Sequence, residues 1–176
     1  MWNTLSRMWR TGLLTEPLPA VEPALEATSP ELDQLQSQLL EVLGRALCIR
    51  HVDAGSCNGC ELEIQALHNP YYNLEGAGIQ FVASPRHADL LLVTGPVSVN
   101  MEEALRRTYD AMPGPKLVIA VGDCGACGGI FGASYASRGG VANILPVNNT
   151  VTGCPPTPTA ILRGILQTVR PAFKKV

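Results

Sequence analysis

The chain is short of charge, short of aromatic residues and without a long apolar run. Of its 176 residues 16% are charged and 5% aromatic, and the formal net charge is −2. An average soluble domain carries roughly 25% charged residues. The deficit excludes a charge-rich disordered chain and implies that much of the surface meets other protein. So small a net charge gives no electrostatic footing for nucleic acid, and so few aromatics leave little for single-stranded bases to stack on. No apolar run reaches the roughly 18 residues of a bilayer-spanning helix. The N-terminus lacks the basic, apolar and small-residue order of a secretory signal. There is no internal repeat and no low-complexity tract.

What the chain has in number is glycine (17), proline (14) and six cysteines. Without a secretory signal the cysteines point to a reducing, cytoplasmic compartment, where thiols act as ligands or catalysts more often than in disulfides. The 46% of hydrophobic residues can fill one core of ordinary size.

The first 47 residues differ from the rest. In Met1–Leu14, Trp2, Leu5, Trp9 and Leu13 recur at spacings of three and four, beside Arg7 and Arg10. An amphipathic helix of this kind suits a membrane interface or a partner groove; the alternative is a frayed terminus with scattered apolar residues. Thr15 to Pro30 is proline-rich and reads as a linker. Ser29 and Pro30 then open a helix over 31–47, striped by Leu32, Leu35, Leu39, Val42, Leu43 and Leu47. The expected organisation is therefore residues 1–30 as amphipathic segment and linker, 31–47 as an entering helix, and 48–176 as an α/β domain.

From Cys48 onward strand and helix patterns alternate. The spacing predicts strands at Cys48–Asp53, Ile79–Ala83, Asp89–Gly95 and Lys116–Gly122, with a weaker one at Asn143–Val147. Helices are predicted at Cys60–His68, Asn100–Met112 and Pro158–Val169. Apolar strands alternating with amphipathic helices imply a parallel sheet covered on both faces, with functional loops beyond the carboxyl ends of its strands.

Three cysteine-bearing segments fall on such loops: Gly55-Ser-Cys57-Asn-Gly-Cys60, Gly122-Asp-Cys124-Gly-Ala-Cys127-Gly-Gly, and Gly153-Cys154-Pro155-Pro156. Their flanking glycines let backbone approach a bulky inorganic group. Three readings compete. A dithiol exchange pair needs one Cys-x-x-Cys at a helix start, which Cys57 and Cys60 satisfy, but it leaves the other loop cysteines unexplained. Structural zinc prefers tight knuckle pairs on domains with poor cores. A cubane iron–sulfur cluster takes four dispersed thiolates: Cys57, Cys60, one of Cys124 and Cys127, and Cys154.

Four stretches carry a resemblance: Ser56-Cys-Asn-Gly-Cys-Glu-Leu-Glu63; Ser84-Pro-Arg-His-Ala-Asp89 with Leu-Leu-Leu-Val-Thr-Gly95; Gly122-Asp-Cys with Gly-Gly-Ile-Phe131; and Pro146-Val147 through Gly153-Cys-Pro-Pro-Thr157. Together they resemble the small subunit of complex-I-related, membrane-bound [NiFe] hydrogenases of the formate hydrogenlyase and energy-converting type. The twenty-kilodalton subunit of respiratory complex I is similar at greater distance. The resemblance runs from Cys48 to Val169 and leaves out the first 47 residues. It implies a flavodoxin-like α/β domain holding one [4Fe–4S] cluster on Cys57, Cys60, Cys124 and Cys154. Cys127 then stands where relatives carry a non-ligand and reads as a spare thiol, and Cys48 as a packed apolar side chain. Asn58 and Gly59 separate the first two cysteines, which are adjacent in the complex I subunit, so the hydrogenase branch is favoured. Small subunits of soluble-type hydrogenases continue into a further cluster-bearing domain, whereas this sequence ends about twenty residues after Cys154.

The resemblance implies an oxidoreductase subunit that is not catalytic alone. Its expected partners are a hydrogenase-type large subunit, a ferredoxin-like iron–sulfur subunit and integral membrane subunits, at the cytoplasmic side of the cell membrane. The other expected readings are a complex-I-like quinone-reducing module without nickel and, in a different class, a zinc-stabilised scaffold. Glu63 matches a family position and is the expected proton relay, ahead of Glu61; the bland alternative is two solvated carboxylates in a helix first turn. Arg86 is expected either at the surface or near an anionic cluster, where it would raise the reduction potential. His68 and His87 read as surface or interface residues, and His51 as a hydrogen-bonded core histidine.

Overall fold

The computed structural model of the chain describes residues 46–173, together with Trp2, Ser6, Trp9, Arg10 and Ser37. Two compact units divide it, Met1–Glu31 and Leu32–Val176. The helices expected in 1–14 and 31–47 lie almost wholly outside the described residues. Trp2, Ser6, Trp9, Arg10 and Ser37 are helical and exposed.

Five parallel strands form the sheet: β1 Leu47–Asp53, β2 Ile79–Phe81, β3 Leu90–Thr94, β4 Leu117–Val121 and β5 Asn149–Val151. Their spatial order is β2-β1-β3-β4-β5, the flavodoxin-like doubly wound arrangement. Every residue of β3 and β4 is buried. Apolar runs such as Leu-Leu-Leu-Val and Leu-Val-Ile-Ala-Val are what a central strand covered on both faces requires. Leu47, expected at the end of the entering helix, is the first residue of β1 and pairs with Ile79.

The helices are α1 Gly59–Ala66, α2 Val99–Asp110, α3 Gly122–Cys127 and α4 Pro158–Phe173. Ile64 of α1, Leu67 just after it, and Ile161 and Ile165 of α4 join Ile49, Leu92 and Ile119 in one core. Leu105 of α2 joins Val52, Leu91, Val93 and Val118 in a second. Strand alternation sends odd and even residues to opposite faces, so the two cores lie on the two faces of the sheet, as expected.

The weak strand expected at Asn143–Val147 is not one. Val141–Asn143 form a single 3-10 turn, and Val141 and Leu145 plug the α2-side core. Pro146 has no N–H to give a ladder. The edge strand starts at Asn149, which pairs with Ile119. Asn148 pins this start: its side chain accepts the Val118 N–H at 2.8 Å, and its own N–H donates to the Val118 carbonyl at 2.9 Å.

Candidate metal centre at the carboxyl edge of the sheet

The loop after β1 is built on a carboxylate. Asp53 accepts the N–H groups of Gly55 and Ser56, both at 2.8 Å, and Ser56 Oγ accepts the Asn58 N–H at 3.1 Å. Burial pushes the Asp53 carboxyl upward, but the bonds from Ser56 and Gly55 outweigh it and hold the group below its ordinary value. Asn58, with φ 73°, then turns the chain into α1. Cys57 is exposed on this turn, and Cys60, 9% exposed, lies in the first turn of α1.

The second loop is shaped by glycine. At Gly122 φ is +81°, and a Cβ there would sit 2.6 Å from Cys60 Sγ. At Gly129 φ is +55°, and a Cβ would sit 2.7 Å from Cys124 Sγ. Any other residue at either position would fill space the thiols occupy. Gly122 opens α3 directly from β4, a helix the sequence did not announce. It carries Cys124, half-buried, and Cys127, exposed.

The third loop is tied to the second. Gly153 N–H donates to Asp123 Oδ1 at 2.8 Å, and Asp123 N–H donates to the Gly153 carbonyl at 2.9 Å. Cys154 follows, exposed. A Cβ on Gly59 would lie 3.6 Å from Cys57 Sγ and 3.8 Å from Pro155 Cβ, so the first and third loops meet as well.

The four expected thiols therefore share one locality. Burial pushes the Cys60 thiol up to about 12, helped by the charge of Glu61 and by Cys57, Cys124 and Cys154. Cys124 is raised too, by burial first and then by Cys154, Cys57, Asp123 and Cys127. Among the described residues no three His, Cys, Asp or Glu side chains stand close enough to hold one metal ion. Four neighbouring thiols over a glycine-lined floor fit a larger sulfur-ligated group, whose several metal atoms separate the thiolates.

Other expected residues fall outside this locality or beside it. The Cys127 thiol donates to the Asp123 carbonyl at 3.2 Å. Cys48 is half-buried on β1, and its N–H donates to Asp89 Oδ2 at 3.1 Å. Glu63 is half-buried; its charge helps burial and Tyr71 to raise the Tyr72 phenol. Glu61 is the more buried carboxylate, 7% exposed. Arg86 and His87 are exposed on a 3-10 turn whose cap, Ser84, accepts the Arg86 N–H at 3.4 Å. His51 lies 3.0 Å from Thr94 Oγ1, a core-side contact as expected, and burial lowers its pKa. His68 is exposed and packs against Phe81 with the rings tilted by 48° and their centroids 4.8 Å apart. Two residues that shape the site were not singled out from sequence, Asp123 and Asp53. The signal for Asp53 was present in Asp53-Ala-Gly-Ser56, an aspartate followed at two residues by glycine, the pattern of an Asx turn.

Comparison with known families decides the kinship. The model of the NADH ubiquinone oxidoreductase 20 kDa subunit matches residues 57–168, the span that carries Cys57, Cys60, Cys124 and Cys154. The chain belongs to this family. It is 42% identical over 145 residues to the probable membrane-bound hydrogenase subunit mbhJ of Pyrococcus furiosus, covering 82% of this chain and 87% of that one. It is 42% identical over 142 residues to formate hydrogenlyase subunit 7 of Escherichia coli, covering 81% of this chain but 56% of the relative. Among solved structures it is similar to a chain of the membrane-bound sulfane sulfur reductase, an archaeal respiratory membrane complex. The TM-score is 0.62 at 30% identity, over 76% of each chain. Among the described residues no helix is long and apolar enough to cross a membrane.

Proposed function

We propose that the chain is the electron-transfer subunit of a membrane-associated, multisubunit oxidoreductase. It holds one [4Fe–4S] cluster on Cys57, Cys60, Cys124 and Cys154, beside the catalytic centre of a large subunit. The observation that carries this is the convergence of three loops, and of these four thiols, at one place on the carboxyl edge of the sheet. When bound, such a cluster supplies one-electron transfer.

The protein's own part is positional. The Asp123–Gly153 pair fixes the distance between the second and third loops, and the Asp53 turn fixes the first. Gly122 and Gly129 keep the floor clear of Cβ atoms. Burial of Cys60 in the first turn of α1 excludes water on that side. Glu63 is assigned the proton relay in this proposal. Glu63→Gln should slow proton-coupled turnover of the assembled complex with its iron content unchanged; full turnover would remove that role.

The large subunit in this reading is of the [NiFe] hydrogenase kind. Similarity to mbhJ and to the formate hydrogenlyase subunit supports it, as does the Asn58-Gly59 spacing between the first two cysteines. A ferredoxin-like subunit would exchange electrons with this cluster, and membrane subunits would hold the complex at the cytoplasmic face. The family model favours a second reading, a quinone-linked module without nickel. Metal analysis and hydrogen-dependent dye reduction on the purified complex separate the two. Nickel with hydrogen uptake is expected; quinone reduction without nickel would transfer the chain to the second reading.

A further inference from the structure

The amphipathic stripe of Met1–Leu14 carries none of the cysteines and none of the residues that shape the metal centre. Trp2, Ser6, Trp9 and Arg10 are helical. The four line one cleft of about 560 Å³, so they share a side. Seven positions separate the two tryptophans, and an ideal helix drifts only about 20° over that interval. Trp2 is 88% exposed and Trp9 95%. Each indole has about 150–250 Å² to bury, and here both stand in water on one face.

The sequence around these residues says what kind of surface covers them. Leu5 and Leu13 continue the three- and four-residue spacing of the tryptophans. Arg7 and Arg10 are the only charged side chains in Met1–Leu14, and the first carboxylate is Glu16. The segment thus carries two positive side chains in a chain whose net charge is −2. Indoles beside guanidinium groups match a boundary that is apolar on one side and anionic on the other. A protein groove would take the indoles as readily, but a stripe free of carboxylates is what a surface of lipid phosphates attracts. Met1–Leu14 is shorter than the roughly 20 residues that span a bilayer, so it suits the plane of the surface. The proline-rich linker that follows in sequence gives it reach.

We infer that Met1–Leu14 is a membrane-surface anchor, laying its Trp2 and Trp9 face into the headgroup region of an anionic phospholipid bilayer with Arg7 and Arg10 at the phosphates. The inference rests on the reading of the chain as part of a membrane-associated assembly, and not on the identity of the metal group.

Trp2 and Trp9 are the only tryptophans of the chain, so its tryptophan emission reports on this face alone. The test mixes the anaerobically purified full chain with vesicles of phosphatidylcholine and phosphatidylglycerol, and with vesicles of phosphatidylcholine alone. On the mixed vesicles the emission should move to shorter wavelength, and the chain should float with the lipid tenfold or more better than on phosphatidylcholine. Added salt should weaken the binding. Arg10→Gln should lower the partitioning about fivefold, the share of one arginine near an anionic surface. Trp2→Ala with Trp9→Ala should lower it tenfold or more, with circular dichroism and iron content unchanged. Unshifted emission on the mixed vesicles, equal binding to both lipids, or flotation that survives the loss of both tryptophans overturns the anchor. In the complex reconstituted into the mixed vesicles, a benzoylphenylalanine in place of Trp9 should crosslink to lipid; a crosslink to another subunit puts a protein groove there and overturns it too. A free chain that ignores lipid, in a complex that still contains membrane subunits, ends the anchor and leaves the assembly reading standing. Iron missing from wild type overturns the cluster reading alone.

Discussion

Asp123 and Gly153 exchange two hydrogen bonds across the carboxyl edge of the sheet, one through the Asp123 carboxylate at 2.8 Å and one through its N–H at 2.9 Å. The two residues are thirty positions apart, and each immediately precedes a cysteine. The pair thus sets the separation of Cys124 from Cys154. Asp123→Ala removes the carboxylate bond and keeps the backbone one. A hydrogen bond to a charged group contributes about 1.5–3 kcal/mol, and Asp123 is only half-buried, so the low end applies. Denaturant unfolding should show a loss of about 1–2 kcal/mol. Iron loading should fall further than stability does.

Gly122 and Gly129 take the opposite kind of test. Alanine at either would have to hold a positive φ, at about 1–2 kcal/mol, and its methyl would press on Cys60 or Cys124 Sγ. Gly122→Ala and Gly129→Ala should keep the far-ultraviolet circular dichroism of the α/β fold. Both should lose visible absorbance and iron. Full iron in either variant would mean that the floor of the site is not where these glycines stand.

The Asp53 turn carries a pH dependence. The carboxyl is held below its ordinary value of 3.8 in the folded chain. A depressed folded pKa contributes stability that is fully present above the unfolded value and is lost as pH falls through the folded one. Asp53→Ala should therefore be less stable than wild type at neutral pH. The difference should close as pH falls below about 4, the unfolded carboxylate range. Paired denaturant melts at neutral and acid pH measure it; a gap that stays constant would show that the lost contact is not ionic.

How legible the molecule was depends on which interactions fix each part. β3 and β4 are buried on both faces, so their apolar runs had one reading, and the strands were found within a residue or two. The parallel pairing of the sheet followed from the alternation of strands with helices, whereas its flavodoxin-like order came only with the family resemblance. β5 was misplaced because it is three residues long and edge-lying, and it is set by the Asn148–Val118 exchange rather than by its own pattern. α3 escaped notice because it is six residues of Gly, Asp, Cys and Ala, with no apolar stripe to betray it. At the site the cysteines declared themselves by type and glycine context. Asp123 did not, because its role comes from a partner thirty residues away. Glu61 and Glu63 are two residues apart on one helix, and only packing tells the enclosed carboxylate from its neighbour.

The central measurement is electron paramagnetic resonance with iron analysis on the reduced, anaerobically purified complex, comparing wild type with Cys57→Ser, Cys60→Ser, Cys124→Ser, Cys154→Ser and Cys127→Ser. Wild type should bind about four irons on this chain, as a cubane requires. Each of the first four variants should lose one fast-relaxing signal, while Cys127→Ser keeps it. Retention of that signal in Cys154→Ser, or one zinc per chain and no iron in wild type, would contradict a cluster held by these four thiols.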